Sequence, residues 1–286
     1  MTSWRCFDVE VADKVAHVRL NRPDELNSMV REFWNELPAI VRGLDAGGDV
    51  RAMVLSSTGR HFCAGMDLGV FTSGDAAGGD GGGPATEPEQ GRLRAQLRQR
   101  VLMLQESFTA FERARFPVLA AVQGGCIGGG VDMVCAADVR YASADAFFVI
   151  QEINIGMTAD VGTLQRLPKL IPDGVARELA YTGRRLPADR AREVGLVNEV
   201  FATHDELVAG VLEIAHEIAS KSPLATWGSK EMLLHARDHS VADGLEHIAT
   251  WQTGMFHPGD MIEAFTARAE GRDPEFPDLE PVLDEF

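Results

Sequence analysis

Apolar residues alternate with polar ones at 7–11 and, less strictly, at 15–20, with Asp13-Lys14 between the two runs. That pattern predicts two β-strands around a tight turn. The period then lengthens, and Asn27 stands where it could cap an amphipathic helix reaching to about residue 44. A short apolar strand is expected at 51–56, followed by the loop Gly59-Arg-His-Phe-Cys-Ala-Gly-Met-Asp67. From 73 to 91 the chain is rich in Gly, Asp and Pro and reads as a mobile loop, too short to link domains. Leu and Phe at helical spacing predict a long helix over 93–113. A strand of small and β-branched residues at 117–123 then enters Gly124-Gly-Cys-Ile-Gly-Gly-Gly130 and a helix from about Val131. Short strands at 139–141 and 147–150 precede a loop to Asp160 and a helix from Thr163. From 204 to about 271 the pattern is helical, with breaks near Ser222-Pro223, His239 and Pro258. Strands interleaved with helices, then helices only, predict an α/β core (1–203) with a helical C-terminal region (204–286).

Composition narrows the function classes. A chain of 286 residues with 45% hydrophobic content can bury a sizeable core. The formal charge of -16 argues against nucleic acid as a partner, since phosphate binding needs clustered Lys and Arg. No apolar run approaches the ~18 residues of a membrane span. Cys6, Cys63, Cys126 and Cys135 form no C-x-x-C pair and read as buried free thiols of a reducing compartment. With no signal peptide and no peroxisomal or reticulum address at Leu283-Asp-Glu-Phe286, a cytoplasmic location is expected.

Several familiar sites have no support. The glycine run is neither G-x-G-x-x-G nor a P-loop, and no G-x-S-x-G elbow is present. His235 and His239 lie four apart without the Glu of H-E-x-x-H, so a solvated helix face is preferred to zinc, and no metal is expected. Two glycine-marked turns remain, Cys63-Ala-Gly-Met-Asp-Leu68 and Gly128-Gly-Gly-Val-Asp132, each following a predicted strand. Such turns leave backbone N–H groups unpaired, and glycine lets a substrate approach them. Two on neighbouring strands could aim two donors at one carbonyl oxygen, each contributing about 3 kcal/mol to an oxyanion-like transition state. Spacing alone favours the plainer reading, that the turns serve packing.

Three acids shift that balance. Asp132 falls in the first turn of the helix behind the glycines, Glu152 ends an apolar strand, and Asp160 sits within Ile155-Gly-Met-Thr-Ala-Asp160-Val-Gly162. Carboxylates in apolar surroundings have raised pKa values and can take and give protons near neutrality. The alternative is capping, with Asp160 serving the helix that starts at Thr163.

At these residues the sequence resembles the crotonase family, the enoyl-CoA hydratase/isomerase superfamily, over nearly the whole chain. The likeness is carried by Leu20-Asn-Arg-Pro23 with Asn27, Phe62-Cys-Ala-Gly-Met-Asp-Leu68, Ala121-Val-Gln-Gly124 with Gly128-Gly-Gly130, and Thr163-Leu-Gln-Arg-Leu167. Within it, Gly125-Cys-Ile-Gly-Gly-Gly-Val-Asp132, Ala159-Asp-Val-Gly-Thr-Leu-Gln-Arg-Leu-Pro168 and Arg237-Asp-His-Ser-Val241 with Ala249-Thr-Trp251 look most like dienoyl-CoA isomerases. The resemblance implies a spiral of ββα units with a C-terminal helical trimerisation region, assembled as a homotrimer or homohexamer. It implies conversion of 3,5-dienoyl-CoA to 2,4-dienoyl-CoA in fatty acid β-oxidation, with no cofactor beyond the coenzyme A of the substrate. It puts the oxyanion N–H donors at Met66 and Gly129, substrate contacts along Ala64, Gly65, Met66, Asp67 and Leu68, and the acids at Asp132, Glu152 and Asp160. Typical hydratases carry Glu at both positions held here by Asp132 and Glu152, and none matching Asp160, which favours the isomerase over a 2-enoyl-CoA hydratase. A non-catalytic acyl-CoA-binding member is the rival of another class, disfavoured because binding alone needs no acids. The Gly- and Asp-rich 72–91 stretch departs from the family and leaves the acyl length open.

Overall fold

The structure, a computed structural model, describes residues 4–67, 69–70 and 90–282. Strands β1 (Phe7–Ala12) and β2 (Val15–Leu20) form the expected hairpin, from Phe7 opposite Leu20 to Ala12 opposite Val15. Asp13 and Lys14 take left-handed backbone, with φ of 48° and 67°, the twist that a two-residue hairpin turn requires. Beyond β2 the sheet is parallel through β3 (Ala52–Ser57), β4 (Val118–Val122), β6 (Val139–Ser143) and β9 (Glu199–Phe201). Parallel neighbours need crossovers. Helices α1 (Arg31–Gly47), α2 (Gln90–Arg113) and α3 (Gly129–Ala136) lie on those connections.

Alternate strand residues face opposite sides, and both sides are buried. Met53, Leu55, Ala120 and Val122 join the larger core with Phe33 of α1, Phe108 of α2 and Met133 of α3. Ala52, Val54, Leu119 and Ala121 pack against Leu207, Val211 and Ala215 of α7 (His204–Ala219).

Each of β3, β4 and β6 is followed by a short crossing segment: the stretch around Cys63, β5 (Gly125–Ile127) and β7 (Phe147–Val149). Cys63 bridges Cys126, β5 pairs with β7 in parallel, and β7 pairs antiparallel with β8 (Leu186–Pro187). Strand, crossing strand and helix therefore recur as the spiral of ββα units. The units differ in length, so the repeat leaves no fixed period in the sequence.

Helices α4 (Thr163–Leu170), α5 (Asp173–Thr182) and α6 (Ala188–Glu193) close the core. Helices α8 (Pro223–Asp238), α9 (Val241–Met255) and α10 (Pro258–Glu270) start at the anticipated breaks. The division at 203/204 passes just before α7, which itself covers the sheet; the loosely packed helices begin at Pro223. Residues after α10 return to the core, where Arg51 Nη2 donates to the Phe276 carbonyl (2.5 Å) and the Leu279 N–H to the Gly48 carbonyl (3.1 Å). No described helix is long and apolar enough to cross a membrane.

Candidate active site

The first glycine turn is held by residues that leave β2. Asn27 does not cap α1: that helix starts at Arg31 behind Val30, with no side-chain cap. Instead Asn27 is buried in left-handed backbone (φ 53°), its Oδ1 accepting from the Arg22 N–H (2.8 Å). Its Nδ2 donates to the carbonyls of Thr58 (2.8 Å) and His61 (2.9 Å). The two Nδ2 hydrogen bonds thus tie the exit of β2 to the loop after β3, and the third closes the turn on itself. Two residues on, the Met29 N–H donates to the Gly65 carbonyl (2.8 Å) and the Asp67 N–H to the Met29 carbonyl (3.1 Å). A parallel bridge of this kind turns the N–H of the residue between, Met66, to the opposite side, and there it has no acceptor among the described residues. Asp67 fixes the turn, accepting from Ser28 Oγ (2.9 Å) and the Gly69 N–H (2.8 Å).

The second turn meets the first. Gly65 has φ +86°, and a Cβ there would lie 2.9 Å from the Ile127 carbonyl oxygen and 3.6 Å from the Gly129 nitrogen. The Gly129 N–H opens α3 and also lacks an acceptor among the described residues. A Cβ at Gly129 would stand 2.8 Å from Met29 Sδ, and one at Gly130 3.2 Å from Cys63 Cβ. Glycine is required here by close approach as much as by conformation.

All three expected acids lie within electrostatic reach of one another. Asp132 is fully buried; Oδ1 accepts from the Thr163 N–H (2.6 Å), while Oδ2 has no partner among the described residues. Burial pushes its pKa up to about 6, against the Thr163 hydrogen bonding. The capping alternative considered for Asp160 is thus taken by Asp132, which accepts from the amide that opens α4. Glu152 does not end a strand, because β7 stops at Val149 and Glu152 opens a single 3-10 turn, Glu152–Ile155. Its Oε1 lies 3.1 Å from where a Gly128 Cβ would be, and its Oε2 is buried with no partner among the described residues. Burial, then the charge of Asp132, raises Glu152 to about 7.

Asp160 differs from the other two. Its neighbours Ala159 and Val161 are buried, but its own side chain is exposed and lines a cleft of about 420 Å³ with Met66, Asp67, Trp34, Leu104 and Met157. Desolvation still raises its pKa, and its charge in turn raises those of Asp132 and Glu152. Of the expected substrate-contact segment, Met66 and Asp67 reach the cleft, the Ala64 N–H is taken by the Leu26 carbonyl (3.0 Å), and Leu68 lies outside the described residues. The expected loop also lies outside them, except that Gln90 and Gly91 already belong to α2. Sequence reasoning missed the cleft's helical wall. Trp34 and Leu104 read as core positions of amphipathic helices, and no motif separates a cleft-facing apolar residue from a buried one.

Comparison with known proteins decides the family. The family model described as enoyl-CoA hydratase/isomerase matches residues 10–279. This chain belongs to the enoyl-CoA hydratase/isomerase family. Among relatives, a protein of Arabidopsis thaliana named Delta(3,5)-Delta(2,4)-dienoyl-CoA isomerase, peroxisomal, is 43% identical over 98% of this chain and 99% of its own length. The Homo sapiens protein named Delta(3,5)-Delta(2,4)-dienoyl-CoA isomerase, mitochondrial, is 42% identical over 95% of this chain and 81% of its own. The solved enoyl-CoA hydratase of Bacillus anthracis superposes with a TM-score of 0.82 at 31% identity, covering 95% of this chain and 99% of that one. The crotonase-like fold expected from the sequence is the fold observed. The expected cytoplasmic location is corrected by these relatives, which are named peroxisomal or mitochondrial. Addresses are short receptor-read segments that leave no mark on a fold, so reading a location from the lack of one was unsound.

Proposed function

We propose that this enzyme converts 3,5-dienoyl-CoA to 2,4-dienoyl-CoA by moving a proton along the conjugated chain. The Met66 and Gly129 N–H groups hold the thioester oxygen and stabilise the dienolate formed when C2 loses its proton. Glu152 takes that proton, and Asp160 delivers one to C6. The double bonds move from C3 and C5 to C2 and C4. Substrate and product stand at one oxidation level, so the step balances without an electron acceptor, and no cofactor or metal is invoked. Asp132 keeps α4 and the pair of acids in register. The acyl chain takes the apolar cleft whose wall Asp160 shares.

The observation that carries this reading is the third acid. Asp160 stands at the cleft, within electrostatic reach of Asp132 and Glu152, where two acids alone would suffice to add water at C3. Like charges held close resist joint ionisation, so one acid stays protonated while another acts as base. Asp160→Asn tests it. Turnover of 3,5-dienoyl-CoA should fall about 100-fold to 10,000-fold, the scale of one acid–base group, with little change in KM. A folded Asp160→Asn enzyme that isomerises at the parent rate, or a parent that only hydrates 2-enoyl-CoA, would overturn the reading.

A further inference from the structure

The segment carrying Asp160 has no regular secondary structure from Met157 to Gly162, yet its carboxylate must be set to a fraction of an ångström to meet a substrate carbon. Two side chains from elsewhere grip it. At its C-terminal end Asp132 takes the Thr163 N–H (2.6 Å). At Asp160 itself, Gln105 Nε2 of α2 donates to the main-chain carbonyl oxygen (2.7 Å). Below Gln105 the same face of α2 continues the grip. Thr109 Oγ1 accepts from Arg166 Nη2 (3.2 Å), and Glu112 takes Arg166 Nε (3.0 Å) and Nη2 (2.8 Å) in a fork. Residues 105, 109 and 112 follow the four-then-three spacing that aligns side chains on one helix face. Arg166 lies in α4, so α2 holds the Asp160 segment and the helix after it together, and Glu112 also takes Arg237 Nη1 (2.5 Å) from α8.

We infer that Gln105 is a positioning residue for the proton transfer at C6: its amide fixes the Asp160 main chain, and with it where the carboxylate stands. The inference rests on the isomerase reading. Gln105 makes no contact with the reacting atoms; it acts through Asp160. Gln105 lines a second recess with Thr109, Gln165 and Arg166, and it is not among the residues that line the apolar cleft. Without that hydrogen bond the segment keeps its Asp132 anchor three residues on but loses the one at the acid.

The test is a double-mutant cycle. Gln105→Ala in the parent should lower kcat about 10-fold to 100-fold, the scale of a misplacement near 1 Å, and leave KM within about 2-fold. In the Asp160→Asn background the same change should alter kcat less than about 2-fold, because the group it positions is already gone. A structural role would lower both backgrounds alike. Gln105→Glu keeps the size but cannot donate when ionised, so it should repeat the loss, and it serves if Gln105→Ala folds poorly. A Gln105→Ala enzyme at parent kcat, or equal losses in both backgrounds, overturns the inference while leaving the isomerase reading intact. A parent that does not convert 3,5-dienoyl-CoA overturns both.

Discussion

Glu152 loads the fold with a charge it would be more stable without. Its folded pKa of about 7 stands above the ordinary 4.5, so the folded state holds the proton more tightly than the unfolded chain. The stability this contributes is complete below about pH 4.5 and is lost as pH rises through about 7. Glu152→Gln, which stays neutral, should therefore be more stable than the parent at pH 8, by about 1–3 kcal/mol at ~1.4 kcal/mol per pKa unit. Urea melts at pH 4.5 and pH 8 would check it; a gain independent of pH would contradict it. Activity should depend on pH differently. Glu152 must be ionised to act as the base and Asp160 protonated to act as the acid, so kcat/KM should be bell-shaped in pH, with one limb near 7.

Gly129 gives the sharpest test of the oxyanion hole. Gly129→Pro removes the N–H and adds atoms toward Met29 Sδ, which already lies 2.8 Å from a Cβ position. Turnover should fall at least ~100-fold, the scale of one lost donor, and a folded variant with normal turnover would place the carbonyl elsewhere. Gly129→Ala keeps the N–H and isolates the steric share.

At the scale of elements, some C-terminal helix starts follow local capping signals, and the site does not. Ser222 accepts from the Ala225 N–H, and Ser240 forms a reciprocal box with Asp243, both ordinary N-caps visible in sequence. The start of α4 is capped from another helix, 31 residues away, by Asp132. Besides the Arg237–Glu112 pair, helix α8 is docked by the buried Lys230. Lys230 Nζ donates to the carbonyls of Phe111 (2.5 Å) and Phe116 (2.8 Å) and pairs with Asp138 Oδ2 (2.9 Å). Lys230→Met would keep the apolar stem but orphan the Phe111 and Phe116 carbonyls and leave Asp138 Oδ2 with the Val118 N–H alone, costing about 3 kcal/mol. Denaturant unfolding reads that loss directly. The α8–α9 pair also stacks His235 between His239 (3.8 Å between ring centroids) and His247 (4.2 Å), an imidazole column on the expected solvated face, where His239 is exposed.

For the whole molecule, the C-terminal helices leave large apolar side chains exposed. Leu233, Val241, Leu245, Ile262 and Phe265 are each at least 60% accessible. Exposed apolar side chains of this size are candidates for burial in a subunit contact. A homotrimer or homohexamer is the expected assembly, and light scattering at micromolar concentration measures it; a monomer would count against it. Leu245→Asp with Phe265→Asp, on the exposed face, should shift the mass downward if that face is the covered one.

Local order and family membership were legible in the sequence. Alternation at 7–11 set the first strand, short runs of apolar, small and β-branched residues set β3, β4 and β6, and the glycine turns with Asp132, Glu152 and Asp160 marked the candidate site. These signals need only a few neighbouring residues, because pleat, helix period and turn dihedrals act over that range. Tertiary structure alone decided the rest. It chose which acid caps α4, left the Met66 and Gly129 amides, Oδ2 of Asp132 and Oε2 of Glu152 without partners among the described residues, and bonded Gln105 to the Asp160 carbonyl. Each of those depends on desolvation or a hydrogen bond between residues far apart in the chain. A carboxylate's pKa follows the solvent and charges around it, which are known only once the α2, α3 and α4 helices have closed on one another.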